Sequence, residues 1–282
     1  MTIADKNKAL WPLAIRLEIL PGNSILDKFA NAARYGFDAV ELPGRYLNNY
    51  ITELLACKNN LTLDISSISL GYRGSLLNAN DNVRAQCRQD IKELLSLCAK
   101  LGAIGLVMPP ILHKDAPTGL TNAQTDTDTK KGKDNLLLEQ LPELADHAHK
   151  NGVVLLLEPV NRFETDYLNT IDHALSLCKK LNHPGLAITA DLFHMQIEEL
   201  EPINAILDAG KWIKHVHIAE NTRVEPGPGN LNFEPLFRAL LDIGYAGYIV
   251  TECRSLSGPA DQTLPYSAQY IRKIINRCRG KT

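Results

Sequence analysis

The chain has 282 residues, 45% of them hydrophobic and 22% charged, with a formal net charge of -2. That is enough to bury one large α/β core or two ordinary ones. The near-neutral balance argues against a phosphate-backbone partner, and no apolar run approaches the roughly 20 residues that span a bilayer. Six scattered cysteines contain no CxxC pair, and most sit beside leucines in helix-like segments, as buried thiols of a reducing compartment do. The opening MTIADKNKALWP lacks a signal peptide's apolar core. A cytoplasmic location is therefore expected, with no nucleic acid and no membrane as partner.

Taken in chain order, the apolar runs LAIRLEIL (13–20), DAVEL (38–42) and LTLDISSIS (61–69) read as strands. A helix pattern follows at 81–101, where Val83, Cys87, Ile91, Leu94, Leu95 and Cys98 fall at helical spacing. AIGLVM (103–108) is a fourth strand. After it comes the polar stretch 113–134, without apolar periodicity, read as a loop insertion on the C-terminal face. A helix at 136–149, strand VVLLLEP (153–159), a helix at 170–181 and strand LAITAD (186–191) come next. Then follow IKHVHIAE (213–220), a helix at 233–242 and YIVTEC (248–253). Gly36, Gly102, Gly152 and Gly244 each stand just before a strand, where a helix must stop and turn.

Near-continuous apolar strands alternating with helices fit a parallel sheet covered on both faces. Eight units of about 35 residues give an α/β fold of the (β/α)8 TIM-barrel type, as a single domain over 1–282. A doubly wound open sheet competes less well, because no glycine-rich phosphate loop follows the first strand.

Barrel enzymes build their sites at the C-terminal ends of the strands. Here the ionisable residues at strand ends are Glu41, Glu158, Asp191, His217 with Glu220, and Glu252. Glu158, Asp191, His217 and Glu252 are spaced 33, 26 and 35 residues apart, about one βα unit each. They therefore converge at one height on successive strands. Each has an ordinary alternative. Glu158 reads also as a solvated strand end, Asp191 as a helix cap, His217 as a core histidine, and Glu252 as a surface carboxylate. A full capping box is absent at Asp191, because the third position on is His194. Together, three carboxylates and an imidazole in a dry cleft demand a cation to balance them. Oxygen-rich ligation with one histidine suits Mn²⁺ first, with Mg²⁺ or Co²⁺ as alternatives, and zinc less well.

The stretches LEPVNRFETD (157–166), ADLFHMQIEE (190–199), HVHIAENTRVEPGPGNLNF (215–233) and GYIVTEC (247–253) resemble the xylose-isomerase-like sugar isomerases and epimerases. They look most like D-tagatose and D-psicose 3-epimerases. The motifs cover the C-terminal half; the N-terminal half agrees in layout only. The resemblance implies metal ligands at Glu158, Asp191, His217 and Glu252, with Glu158 and Glu252 as the acid–base pair. It implies substrate contacts at Glu164, His194 and Arg223. Relatives of this kind are commonly homo-oligomers, dimers or tetramers. The segments GPGNLNF, SISLGYRGSLLN and 113–134 depart from the pattern, and all three border the substrate pocket.

The expected reaction is epimerisation at C3 of a ketose or ketose phosphate. An ion would polarise the carbonyl and stabilise the enediolate left by proton abstraction. Glu158 and Glu252, from the fifth and eighth strands, would work on opposite faces of the sugar. Aldose–ketose or hydroxypyruvate-type isomerisation and keto-inositol dehydration are alternatives on the same scaffold. An AP-endonuclease-like nuclease lacks its extra histidines and basic surface here, and a non-catalytic sugar binder would not need four ligands. Arg45, Arg73 and Arg254, near strand ends, are the candidate phosphate binders.

Overall fold

The computed structural model describes residues 11–112 and 130–280. Eight parallel strands close into a barrel in chain order: β1 (Leu13–Arg16), β2 (Ala39–Pro43), β3 (Asp64–Ser69), β4 (Gly105–Met108), β5 (Val154–Leu157), β6 (Leu186–Asp191), β7 (Ile213–Ile218) and β8 (Ile249–Thr251). β8 pairs back onto β1, with Ala14 opposite Val250. Outside lie α1 (Ile25–Arg34), α2 (Ile51–Cys57), α3 (Asp81–Leu101), α4 (Lys130–Lys150) and α5 (Ile171–Leu181). They are followed by α6 (Leu192–Glu198), α7 (Pro202–Ala209), α8 (Phe233–Asp242) and α9 (Ala260–Cys278). This is the single-domain (β/α)8 TIM barrel that the alternation of apolar runs and helix patterns predicts.

Strand period decides where each side chain goes. One phase, including Leu13, Ile15, Val40, Leu42, Leu155, Leu157 and Ile188, points outward and packs under the helices in one large core. The other phase faces the barrel interior. There Ala14, Ala39 and Val250 make one small apolar cluster, and Val107, Leu156 and Ala187 another. These plugs close the barrel below the site.

Local signals set the helix ends. Ser24 and Asp27 form a reciprocal capping box at the start of α1. Gly102 closes α3 at φ 78°, a left-handed turn that costs a side chain energy but glycine little.

Two expectations need correction. LAIRLEIL is a strand only to Arg16; Leu17–Ile19 is a 3-10 turn, with the Arg16 guanidinium folded onto Glu18 at 2.6 Å. The polar stretch 113–134 is not loop throughout. Residues 113–129 lie outside the described residues, but α4 begins at Lys130. Its first turns are tied by tertiary contacts that have no apolar period. The Asp134 carboxylate accepts from the Tyr167 hydroxyl at 2.8 Å and pairs with His173 Nε2 at 2.7 Å, and Lys133 pairs with Asp166 at 3.0 Å.

Candidate active site and metal centre

The interior phase of each strand turns polar as it rises. Two residues above the apolar plugs, Ala14 gives way to Arg16, Ala39 to Glu41, Leu156 to Glu158 and Val250 to Glu252. Asp191 is in register with His217 across β6 and β7. The Glu158 amide donates to Met108 O at 3.2 Å and the Glu252 amide to Ile218 O at 3.0 Å, so both carboxylates leave the barrel at its upper rim.

The four residues meet. Ligand atoms of Glu158, Asp191, His217 and Glu252 all lie within 4.8 Å of one another, and all four side chains are buried. His217 Nδ1 is 2.8 Å from Glu158 Oε1 and 3.1 Å from Glu252 Oε2. Asp191 divides its two oxygens. Oδ1 accepts from the Phe193 amide at 2.8 Å and so caps α6. Oδ2 is buried with no hydrogen-bond partner among the described residues. A buried carboxylate oxygen without a hydrogen bond is costly unless positive charge meets it. The Arg223 guanidinium lies 3.9 Å from Oδ2, and a cation bound among the four ligand residues would add to it. Capping and ligation are thus compatible tasks for one side chain.

A hydrogen-bond hub stands behind His217. Glu41 Oε2 lies 3.0 Å from His217 Nε2, 3.0 Å from His215 Nε2 and accepts from Ser67 Oγ at 2.6 Å. Ligand atoms of Glu41, His215 and His217 likewise lie within 4.8 Å of one another. Three donors already converge on one oxygen, however, so this cluster reads as support for the histidine. A carboxylate on Nε2 fixes the ring with Nδ1 toward the site, an arrangement recurrent behind metal-binding imidazoles, whose Nδ1 gives up its proton when a metal binds.

The charges are strongly coupled. Burial pushes the Glu158 carboxyl up, and nearby Glu252 and Asp191 add to the push, against the pull of His217. Burial and Glu252 raise Asp191 to about 6. Burial likewise opposes ionisation of Glu252, yet His217, Arg16 and Arg223 hold it well below the ordinary carboxylate range. His217 moves well above its usual value because Glu41 and Glu252 outweigh burial.

The substrate-contact candidates line the same cavity, of about 170 Å³, with Glu158 and Glu252. His194 Nδ1 accepts from the Asn161 amide at 3.1 Å and lies 2.7 Å from Asn161 Nδ2. Burial and the Arg223 charge lower His194 to about 4, so the ring is neutral. With Nδ1 accepting, its proton sits on Nε2, 3.3 Å from Asp191 Oδ2. Arg223 adopts φ 58° and stacks its guanidinium 4.6 Å from the Phe193 ring. It reaches Glu252 at 3.3 Å and Glu164 at 3.7 Å.

Some residues sit elsewhere than the sequence suggests. Glu220 turns away from the site and accepts from the amides of Gly227 at 2.8 Å and Leu231 at 3.1 Å, shaping the GPGNLNF loop. Gly229 is required there: a Cβ would come within 2.2 Å of Glu220 Oε2. Arg73 is spoken for by Asp90, at 2.8 and 2.7 Å, and neither it nor Arg45 lines the cavity. Arg254 does line it and pairs with Glu164. Residues not assembled from sequence are Arg16, Glu41, Ser67, Asn161 and His215. The H-x-H spacing already held one clue, since period 2 puts His215 and His217 on one face.

The sequence profile of the xylose isomerase-like TIM barrel matches residues 29–274. The chain belongs to that family. Among curated relatives, the 3-dehydro-D-guloside 4-epimerase of Escherichia coli (strain K12) is 30% identical over 276 residues, covering 96% of this chain and 99% of that one. A D-psicose 3-epimerase of Ruminiclostridium cellulolyticum is 31% identical over 226 residues, covering 78% of this chain and 75% of that protein. The solved structure of an E. coli 3-keto-D-glucoside 4-epimerase superposes with a TM-score of 0.81 at 28% identity, covering 96% and 99%. This xylose isomerase-like barrel is an isomerase-class enzyme, and it carries a buried acidic and imidazole cluster able to hold a metal ion. None of its described helices is long and apolar enough to cross a membrane.

Proposed function

We propose that the protein epimerises a keto sugar at the carbon beside its ketone, as at C3 of a ketose, with Glu158 and Glu252 as the acid–base pair. Glu158, Asp191, His217 and Glu252 would hold a divalent cation. One observation carries this reading: Glu158 and Glu252, at the ends of β5 and β8, both line one cavity, and their carboxylates lie within 4.8 Å of donor atoms of Asp191 and His217. Three carboxylate oxygens and one imidazole nitrogen suit a hard or borderline ion, Mn²⁺ first and Mg²⁺ or Co²⁺ next. The buried Asp191 Oδ2, which accepts no hydrogen bond among the described residues, supports the fit.

Such an ion supplies Lewis acidity at a ketone oxygen. The chain's own residues do the rest. One of Glu158 and Glu252 takes the proton from the carbon next to the ketone, and the other returns a proton to the opposite face, which inverts that carbon. His194 Nε2–H and the Arg223 guanidinium donate to sugar oxygens as negative charge builds there. Glu164, held between Arg223 and Arg254, accepts from a hydroxyl. Return of the proton to the neighbouring carbon would make the outcome an isomerisation. The six free cysteines support a reducing, cytoplasmic setting.

A second reading on the same chemistry is epimerisation at C4 of a 3-keto glycoside. What favours it is coverage: the E. coli guloside 4-epimerase matches over 99% of its length, against 75% for the D-psicose enzyme. In both readings the carbon that inverts flanks a ketone.

The test is a panel of ketoses and keto glycosides with Mn²⁺ in D₂O, read by NMR. We expect one solvent deuteron at the inverted carbon and an unchanged carbon skeleton. Loss of water from the sugar, or no exchange with any probe, would sink the epimerase reading.

A further inference from the structure

The catalytic cavity has a neighbour. A second cavity of about 390 Å³ opens between the loops that follow β1 and β8, where Glu18, Ile19, Ser255 and Leu256 form its far side. Arg16, Cys253 and Arg254 line both cavities. We propose that this second chamber binds a neutral sugar ring joined glycosidically to the keto sugar turned over next door. The substrate is then a keto glycoside of two rings and not a free ketose or a sugar phosphate. The inference rests on the epimerase reading above.

Size is the first argument. The catalytic cavity alone, at about 170 Å³, falls below the roughly 300–1,000 Å³ common for small-molecule sites. Together with its neighbour it comes within that range.

The dividing wall is the second. Arg16 exposes only 16% of its side chain and is fastened on several sides. Its Nε and Nη2 donate to Glu18 at 3.3 and 2.6 Å, its Nη1 donates to Glu252, and Glu41 lies 3.9 Å away. It is therefore a fixed wall shared by the two neighbouring cavities, with Glu252 on one side and Glu18 on the other.

Charge decides what the second chamber takes. Both guanidiniums that border it already have carboxylate partners, Arg16 with Glu18 and Glu252, and Arg254 with Glu164. The chamber adds a carboxylate of its own, Glu18, with 35% of its side chain exposed. A phosphate dianion would meet compensated cations and a like charge. Sugar hydroxyls fit better. Glu18 accepts, Ser255 donates or accepts, and Arg254, 66% exposed, keeps N–H groups beyond those on Glu164. Ile19 and Leu256 are half-buried, apolar surface for the C–H face of a ring.

The experiment measures kcat/KM of the Mn²⁺-loaded protein by deuterium incorporation with four probes. They are a disaccharide oxidised to a ketone at C3 of its non-reducing ring, the methyl glycoside of that same keto ring, D-psicose, and D-psicose 6-phosphate. The disaccharide should exceed the methyl glycoside by about tenfold or more, because binding energy from a remote ring is expressed in kcat/KM. Leu256→Trp, which fills the chamber, should collapse that ratio toward unity. Ser255→Trp, on the exposed loop, serves if the first variant does not fold. Equal kcat/KM for the two glycosides, a ratio unmoved by the folded variant, or a preference for the phosphate overturns the inference. Turnover of D-psicose alone overturns it while leaving the epimerase reading in place. No exchange with any of the four removes both.

Discussion

Two levels of the same barrel interior differ by one step of two residues. At the lower level Ala14, Ala39 and Val250, and Val107, Leu156 and Ala187, pack as small apolar plugs. At the upper level the same strand phase presents Arg16, Glu41, Glu158 and Glu252, joined by Asp191 and His217. The lower level is stabilised by contact, and most of its members would be interchangeable with residues of like volume. The upper level is a set of mutually dependent charges, each with its place set by a neighbour. The lesson is that stability and chemistry occupy one continuous wall, separated by strand position and not by domain or element.

Substitutions at the two levels should therefore fail in different ways. The largest effect belongs to the upper level. Glu158→Gln and Glu252→Gln should each lower kcat by about 10²–10⁴-fold or more, with circular dichroism and Tm near the parent's. Near-normal turnover of the best keto sugar in both variants would break the assignment of the acid–base pair.

The lower level should show the opposite signature. Leu156→Ala removes a fully buried side chain from the plug and should cost about 2–5 kcal/mol of unfolding free energy, measured by urea denaturation. The fraction that remains folded should retain its KM. A variant that keeps full stability while losing activity would show that the plug participates in the site.

Glu41 tests the border between the levels. Glu41→Gln keeps the shape but weakens the acceptor on which His215, His217 and Ser67 converge. Mn²⁺ affinity, followed by the EPR signal of the free ion, should weaken about 10–100-fold. Parent-like affinity in a folded variant would reduce the hub to a packing device.

Much of this was legible before any coordinates. Apolar runs of strand length alternate with amphipathic helices, and that alone predicts the closed barrel. Residues ending consecutive strands must share a rim, so Glu158, Asp191, His217 and Glu252 could be grouped by spacing. What spacing does not show is lateral contact. Arg16 and Glu252 are 236 positions apart and meet because β8 closes onto β1. Glu41 stands at the end of its apolar run as visibly as Glu158 does, yet its partners His215 and His217 lie across the barrel. The start of α4 carries no periodic signal for a related reason, since its anchors are Tyr167, His173 and Asp166 rather than an apolar stripe.

The sequence by itself determined the strand phase, because alternation along a strand is local and follows from covalent geometry. It thereby set which residues reach the interior and which of those are charged. Only the tertiary structure decided how those charges share their partners: Asp191 with one oxygen on the α6 amide and one turned inward, Glu41 behind His217, Arg16 partitioning two cavities. Those arrangements depend on distances of a few ångströms between strands far apart in the chain. Local rules do not carry such distances, and closure of the barrel does.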